Sequence, residues 1–327
     1  MTAKTKRATA ADVARSLGLS RATVGFVLNN TPGQTISEAT RARVLAEAER
    51  LGYRPHTAAR ALASGKSRIV LVLLPDWPLD HAMRAHLEEA ATTLDAAGYS
   101  MVSMVLHSNS LATPLWEILN PDVIFSLTEL DDARYHALHA TGARTVIPGR
   151  DDAATLARDL HFAEGPQEQV RHLVETGRRN LAFASTPDPR LQQLAEQRFQ
   201  LAARTLAALG HGELPRSEIT ADTAPEVVGA WRAQGVDAVV GYNDDIAALV
   251  LGAALRSGLD VPGQLAIVGH DDTPLASLLV PALSSVRVDA AGLGRYLAQI
   301  ALAAATQSPF PQAGPAAHAV LVQRETS

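Results

Sequence analysis

ATAADVARSLGLSRATVGFVLNN, residues 8–30, is the stretch whose reading decides the fold. Thr9 with Asp12 three residues on has the form of a capping box, and Val13, Ala14 and Leu17 recur at helical spacing until Gly18 stops the helix. Ser20 caps a second helix, in which Val24, Val27 and Leu28 fall at i, i+3 and i+4 as one apolar stripe. Ala22, Phe26 and Asn29 lie nearly opposite that stripe, flanked by Arg21 and Gly25. Phe26 is therefore expected outside the core, beside a glycine that costs the helix about 1 kcal/mol relative to Ala. A third helix is expected from Ser37 through Val44, Leu45 and Ala48 to Leu51, closed by Gly52. Ala14, Gly18 and Val24 stand where a helix-turn-helix needs a small contact residue, a turn glycine and a valine packed beneath both helices.

Charge separates this head from the rest. Residues 1–68 hold twelve Lys and Arg against four Asp and Glu, whereas the remainder of the 327-residue chain holds seventeen against thirty. A basic head on an acidic body is the electrostatic pattern of a nucleic-acid module joined to a body that stays off the phosphates. With no Cys there is no disulfide framework and no thiolate zinc site. The chain has no run of eighteen uncharged apolar residues, and its charged first residues, MTAKTKRATAAD, lack a following apolar segment. These features predict a cytoplasmic protein with no membrane partner.

The quoted stretch, followed by ISEATRARVLAEAERLGYRPHTAARALASGKS (residues 36–67), resembles the DNA-binding head of the lac repressor family of bacterial transcription regulators. That resemblance implies a second helix in the major groove of double-stranded operator DNA. It gives base-reading roles to Arg21, Ala22 and Phe26 and phosphate contacts to Thr23, Asn29 and Tyr53, and Ser20, Arg54 and Ala59 join the DNA-contacting set. Gly25-Phe26 departs from the Ser-Arg usual in the family. Phe offers a base only apolar contact, where Arg pairs bidentately with guanine, so a different operator is expected at that step. TPGQTI, before Ser37, is also about two residues longer than the family's usual connection. In the hinge, Ala58, Ala59 and Leu62 share one helical face of a segment too short to be stable alone in water. The resemblance implies that two copies fold this hinge on DNA, with Leu62 wedged into the minor groove.

Beyond residue 68 the pattern changes to short, β-branched-rich apolar runs separated by helical stretches: IVLVLLPD from Ile69, SMVSMVL (100–106), DVIFSL (122–127), RTVIPG (144–149), NLAFAS (180–185), DAVVGY (237–242) and LAIVGHDD (265–272). Such runs describe parallel strands in two doubly wound α/β halves. Ligands bind such sheets beyond the carboxyl ends of the strands, which singles out Asp76 and Trp77, Asn243-Asp244 and Asp271-Asp272, each with helix capping as the alternative role for its Asx residue. GYNDDIAALVLGAALRSGLDVPGQLAIVGHDDTPLASLLVPALSSVR (241–287) resembles the same family's effector domain, and QRFQLAARTLAALG (197–210) its Arg-containing helix. The resemblance implies that Arg198, Asn243 and Asp271 hold a small effector, and a guanidinium, an amide and a carboxylate suit vicinal hydroxyls or ring heteroatoms. Trp77 suits stacking on a ring or ordinary packing. Leu160-His161 stands where relatives often carry an Asp, and Leu201 where they carry a Gly.

Enzyme motifs are missing. HALH (136–139) has no companion ligands and reads as a solvated face, GLG (292–294) does not complete a dinucleotide fingerprint, and there is no G-x-S-x-G or P-loop. No cofactor or metal is expected. The expected organisation is a helix-turn-helix head over 1–54, a hinge helix over 55–67, and two subdomains of periplasmic-binding-protein type, 68–160 with 287–318 and 161–286 with 319–327. The expected function is an operator-binding repressor, homodimeric because two-fold proteins read two-fold sites, controlled by a sugar or nucleoside-like metabolite. The alternative is a small-molecule binding protein of periplasmic type, which the basic head and the absence of an export signal count against.

Overall fold

The computed structural model describes residues 8–29, 31, 33–53, 65–106, 113–128, 130–140, 145–149, 165–311 and 319–327. Arg54 at the end of the head, Ala59 and Leu62 of the hinge, and Leu160-His161 lie outside the described residues. Three helices form the head: α1 (Ala10–Leu17), α2 (Arg21–Leu28) and α3 (Glu38–Arg50). Thr9 and Asp12 make the capping box, Gly18 ends α1 in the left-handed conformation at φ 65°, and Ser20 and Ser37 cap α2 and α3. Val13, Ala14, Val24, Val27, Val44 and Ala48 are buried together at the centre.

The first lobe contains β1 (Ile69–Leu74), α4 (His81–Ala96), β2 (Ser100–Val105), α5 (Leu115–Leu119), β3 (Val123–Ser126), α6 (Asp132–Ala140) and β4 (Val146–Ile147). The strands form a parallel sheet in the order β2-β1-β3-β4. The second lobe contains α7 (Pro166–Glu175), β5 (Leu181–Ser185), α8 (Gln192–Ala208), β6 (Arg216–Glu218), α9 (Ala224–Ala233), β7 (Ala238–Gly241), α10 (Asp244–Arg256), β8 (Ala266–His270), α11 (Pro274–Leu278) and β9 (Ser284–Arg287). After β9 the chain crosses back as α12 (Ala290–Thr306), then returns as β10 (Val320–Val322). The second sheet runs β10-β9-β8-β7-β5-β6. It is parallel except for its last pair, in which β10, outside the seven apolar runs, is antiparallel to β9. All seven apolar runs contain strands, but β6, β9 and β10 lie outside them.

The strand order reverses between β1 and β3 and between β5 and β7, and crevices open beyond those strand ends. The return of α12 ties the lobes together. Tyr296, Leu297, Ala298, Ile300 and Ala301 pack with Ala90 and Leu94 of α4 and with Val70, Val72 and Phe125 of the first sheet. A Cβ on Gly294 would fall 2.3 Å from the His86 carbonyl oxygen, so the GLG segment serves close approach of α12 to α4. His136 and His139 of α6 are both exposed.

Candidate functional site

On the head, α2 presents the two faces that its periodicity implies. Val24 and Val27 are buried against α1 and α3, while Arg21, Ala22, Phe26 and Asn29 are exposed, Phe26 by 36%. Ser20 Oγ accepts from the Thr23 backbone N–H at 3.0 Å and lies 2.8 Å from the Thr23 hydroxyl, so both side chains fix the helix start. Tyr53 packs its ring partly against the head core. Gly25 has no heavy atom within 4 Å of where a Cβ would stand, so its smallness serves nothing inside the head. Ser16 donates to Glu47, whose other partner is Arg50, and these bonds, that of Arg50 first, hold the Glu47 carboxyl down at about 2.

The second site lies between the lobes. A small cavity is lined by Trp77, Asp80, Met83 and His86 of the first lobe, Leu194, Arg198 and Asp271 of the second, and Val288, Ala290 and Leu293 at the crossing. Arg198 reaches in from α8, 73 positions from Asp271, and donates to its two carboxylate oxygens at 3.0 and 3.4 Å. The guanidinium also donates to the Tyr242 carbonyl at 2.6 Å and stands 4.9 Å from the centre of that ring. The two paired side chains are only 6% and 7% exposed. Burial alone would push the Asp271 carboxyl up, but Arg198 and His270 outweigh it and hold it well below the usual carboxylate range. Burial pushes the Tyr242 phenol up to about 12 despite the neighbouring Arg198.

The floor of the cleft is built to hold that pair. Asp271 has a positive φ of 90°, unusual for a residue with a side chain, and its N–H donates to the Val286 carbonyl at 2.7 Å. Gln169 of α7 donates to the carbonyls of Gly241, Val268 and Gly269 at 2.8 to 3.0 Å, clamping the carboxyl ends of β7 and β8. Asp244, fully buried, accepts from Ser285 Oγ at 2.5 Å and from the Thr273 N–H at 2.6 Å, and burial pushes its carboxyl up to about 6. Asp272 turns away, pairing with Arg324 at 2.7 Å and Arg287 at 3.5 Å.

Of the residues singled out by sequence, the cavity brings together Trp77, Arg198 and Asp271. Asn243 is the N-cap of α10, its Oδ1 accepting from the Ile246 N–H at 2.9 Å. Asp76 is exposed and is not among the lining residues. Asp80, His86 and Leu293 also line the cavity, with no motif in the sequence to mark them. Asp80 is the N-cap of α4, and its one visible signal was a position three residues before the helix interior.

Residues 9–56 match the profile of bacterial regulatory proteins of the lacI family, and residues 170–327 match the periplasmic binding protein-like domain. The chain is 30% identical to the HTH-type transcriptional regulator GntR of Pseudomonas aeruginosa, over 92% of this chain and 90% of that protein. It is 28% identical to the regulator GalR of Escherichia coli K12, over 98% of this chain and 95% of the relative. Its fold is that of the lac repressor dimer solved with operator and the anti-inducer ONPF, at a TM-score of 0.75, 21% identity and coverage of 98% and 99%. Among the described residues no helix is long and apolar enough to cross a membrane. Head, fold and full-length similarity agree: this chain belongs to the lacI family of bacterial regulatory proteins.

Proposed function

We propose that this regulator is a cytoplasmic repressor, binding operator DNA as a homodimer and adjusting its affinity to a sugar or nucleoside-like metabolite held between the lobes. The observation that carries the reading is the Arg198–Asp271 pair, buried at the carboxyl ends of the second sheet yet facing the cavity. A bidentate donor beside a fixed acceptor suits a ligand with adjacent hydroxyls; Asn243 supplies an amide at the strand ends of the second sheet and Trp77 a ring from the first lobe. Asp76 belongs to the rim of this site. The head divides at residue 54, the hinge at 67, and the two effector lobes at 160 and 287 with the return at 319, so that a ligand joining the lobes changes the separation of two hinges.

On DNA, Arg21, Ala22 and Phe26 read bases, and Ser20, Thr23, Asn29, Tyr53, Arg54 and Ala59 hold the backbone, with Leu62 in the minor groove. The chain carries no catalytic role and no cofactor. Mobility shifts on DNA flanking the protein's own gene, run across a salt series, test the reading. Specific binding that weakens with salt and responds to a metabolite is expected, and only nonspecific binding at moderate salt would overturn it.

A further inference from the structure

On the proposed division at residue 67, the hinge enters the first lobe through Ser67 and Arg68, and one buried carboxylate holds both. Asp122, 5% exposed just before β3, accepts on one oxygen from the Ser67 N–H at 2.9 Å and the Ser67 hydroxyl at 3.2 Å, and on the other from the Arg68 N–H at 3.0 Å. Its own N–H donates to the Ile69 carbonyl at 2.9 Å, and the Arg68 carbonyl accepts from the Ser100 N–H at 2.9 Å. Residues 67–69 are thus tied to the starts of both strands that flank β1. Within this clamp Arg68 sits at φ 56°, a left-handed conformation that a residue with a Cβ adopts at a cost. The core of the lobe does not require that strain, since the buried residues of β1 begin at Val70. What the turn does set is the line along which the preceding chain meets β1. At its other end β1 leads to the cleft, where Trp77 lines the cavity.

We infer that Asp122 is a positioning residue for operator binding: by holding Ser67 and Arg68 it fixes the direction in which the hinge leaves the lobe. The inference rests on the regulator reading and adds to it a residue that belongs neither to the DNA-reading face nor to the cleft lining. Two heads reach one operator together only when both hinges leave their lobes in a set direction. A hinge free to swivel loses that freedom on binding and weakens it, whereas a clamped exit is organised beforehand. A carboxylate suits the task because its two oxygens accept from successive N–H groups in charge-assisted bonds. An amide of the same size turns one of those oxygens into an NH₂ group, which faces an N–H with a second donor.

The test uses the full-length protein, a duplex that the wild type selects from a randomised pool, and a random duplex of equal length. Asp122→Asn should weaken binding to the selected duplex about 10-fold and leave the random duplex, held by phosphate contacts, unchanged. A thermal melt followed by circular dichroism should show the variant folded at the assay temperature, which separates positioning from a loss of structure. A glycine inserted between Lys66 and Ser67 leaves the clamp whole but frees the hinge from it. It should cause a similar loss, and the two changes together should cost little more than either alone. A folded Asp122→Asn protein that binds the selected duplex as tightly as the wild type, or weakens equally on both duplexes, would overturn the inference. If Asp122→Asn does not fold, the insertion decides, and wild-type affinity there overturns it. A wild type that selects no duplex would instead bring down the regulator reading itself, so the two failures are distinguishable.

Discussion

Gly165 and His270 are in contact across the floor of the second lobe: a Cβ on Gly165 would fall 2.3 Å from His270 Nε2. The other ring nitrogen, Nδ1, lies 2.6 Å from the Asp271 carboxylate. His270 is fully buried and Gly165 sits at φ 125°, a conformation that side chains resist, so neither can yield cheaply. Gly165→Ala should therefore lower stability by about 1–3 kcal/mol through backbone strain and shift Asp271 against Arg198. Calorimetric titration with whichever ligand the wild type binds should show weaker affinity in the variant. Full affinity in a destabilised variant would mean that His270 does not position the pair.

Two buried carboxylates of this floor should titrate with opposite effects on stability. The Asp271 carboxyl is lower in the folded chain than its ordinary value, so its contribution is fully present above about 4 and is lost as the pH falls below that. Asp244 is raised from 3.8 to about 6, so the folded state holds that proton more tightly than the unfolded one. Its contribution is present below about 4 and is lost as the pH rises through 6, a loss on the order of 3 kcal/mol. Asp244→Asn removes the titration while leaving groups to meet Ser285 and the Thr273 N–H. Urea unfolding between pH 4 and 7 should show the variant gaining on the wild type as the pH rises, and parallel curves would refute the assignment.

These two residues also show what a sequence conceals. Runs such as IVLVLLPD and DAVVGY announce strands because both faces of a parallel sheet are apolar. The β9 segment SSVR is equally buried, yet its hydroxyls hide it: Ser285 donates to Asp244, and Ser284 accepts from the Arg324 N–H at 2.8 Å. A polar strand made acceptable by side-chain partners has no hydropathy signature. The short, polar edge strand β6 is silent for lack of an apolar face to bury. In the cleft, Asp271 is marked by its place after a strand run and Arg198 by resemblance alone, and only the fold brings them to 3.0 Å. Asp80 is silent in sequence because an N-cap aspartate on a cavity wall looks like any other helix cap.

The hinge makes a separable prediction. Leu62 is the one large apolar side chain between Arg54 and Gly65. If it is the minor-groove wedge, Leu62→Ala should weaken specific operator binding by about 10-fold or more, since unstacking a base step costs a few kcal/mol that the inserted side chain must offset. Nonspecific binding, which rests on phosphate contacts, should change little. Ligand affinity should be unaffected, because the residues assigned to the cleft all lie in the two lobes, beyond the hinge. Mobility shifts on specific and random duplexes, with the thermal-shift assay in parallel, measure all three; unchanged specific binding would remove the wedge.

Gly25 and Phe26 invite the sharpest test, because the space around Gly25 is open. With no atom within 4 Å of a Cβ at this position, Gly25→Ala should fit and should stabilise the head by up to about 1 kcal/mol through helix propensity. A glycine that costs the folded head this much, with no packing reason, is explained if DNA approaches the helix there. The variant should accordingly melt higher and bind operator more weakly. Phe26, 36% exposed on the same face, should then choose its base step by apolar contact with a thymine methyl. Phe26→Arg, with operators reselected from a randomised duplex pool, should move the preference at one step of each half-site toward guanine and leave the other steps alone. Identical selected sites, together with undiminished operator affinity in Gly25→Ala, would show that this pair does not face the bases.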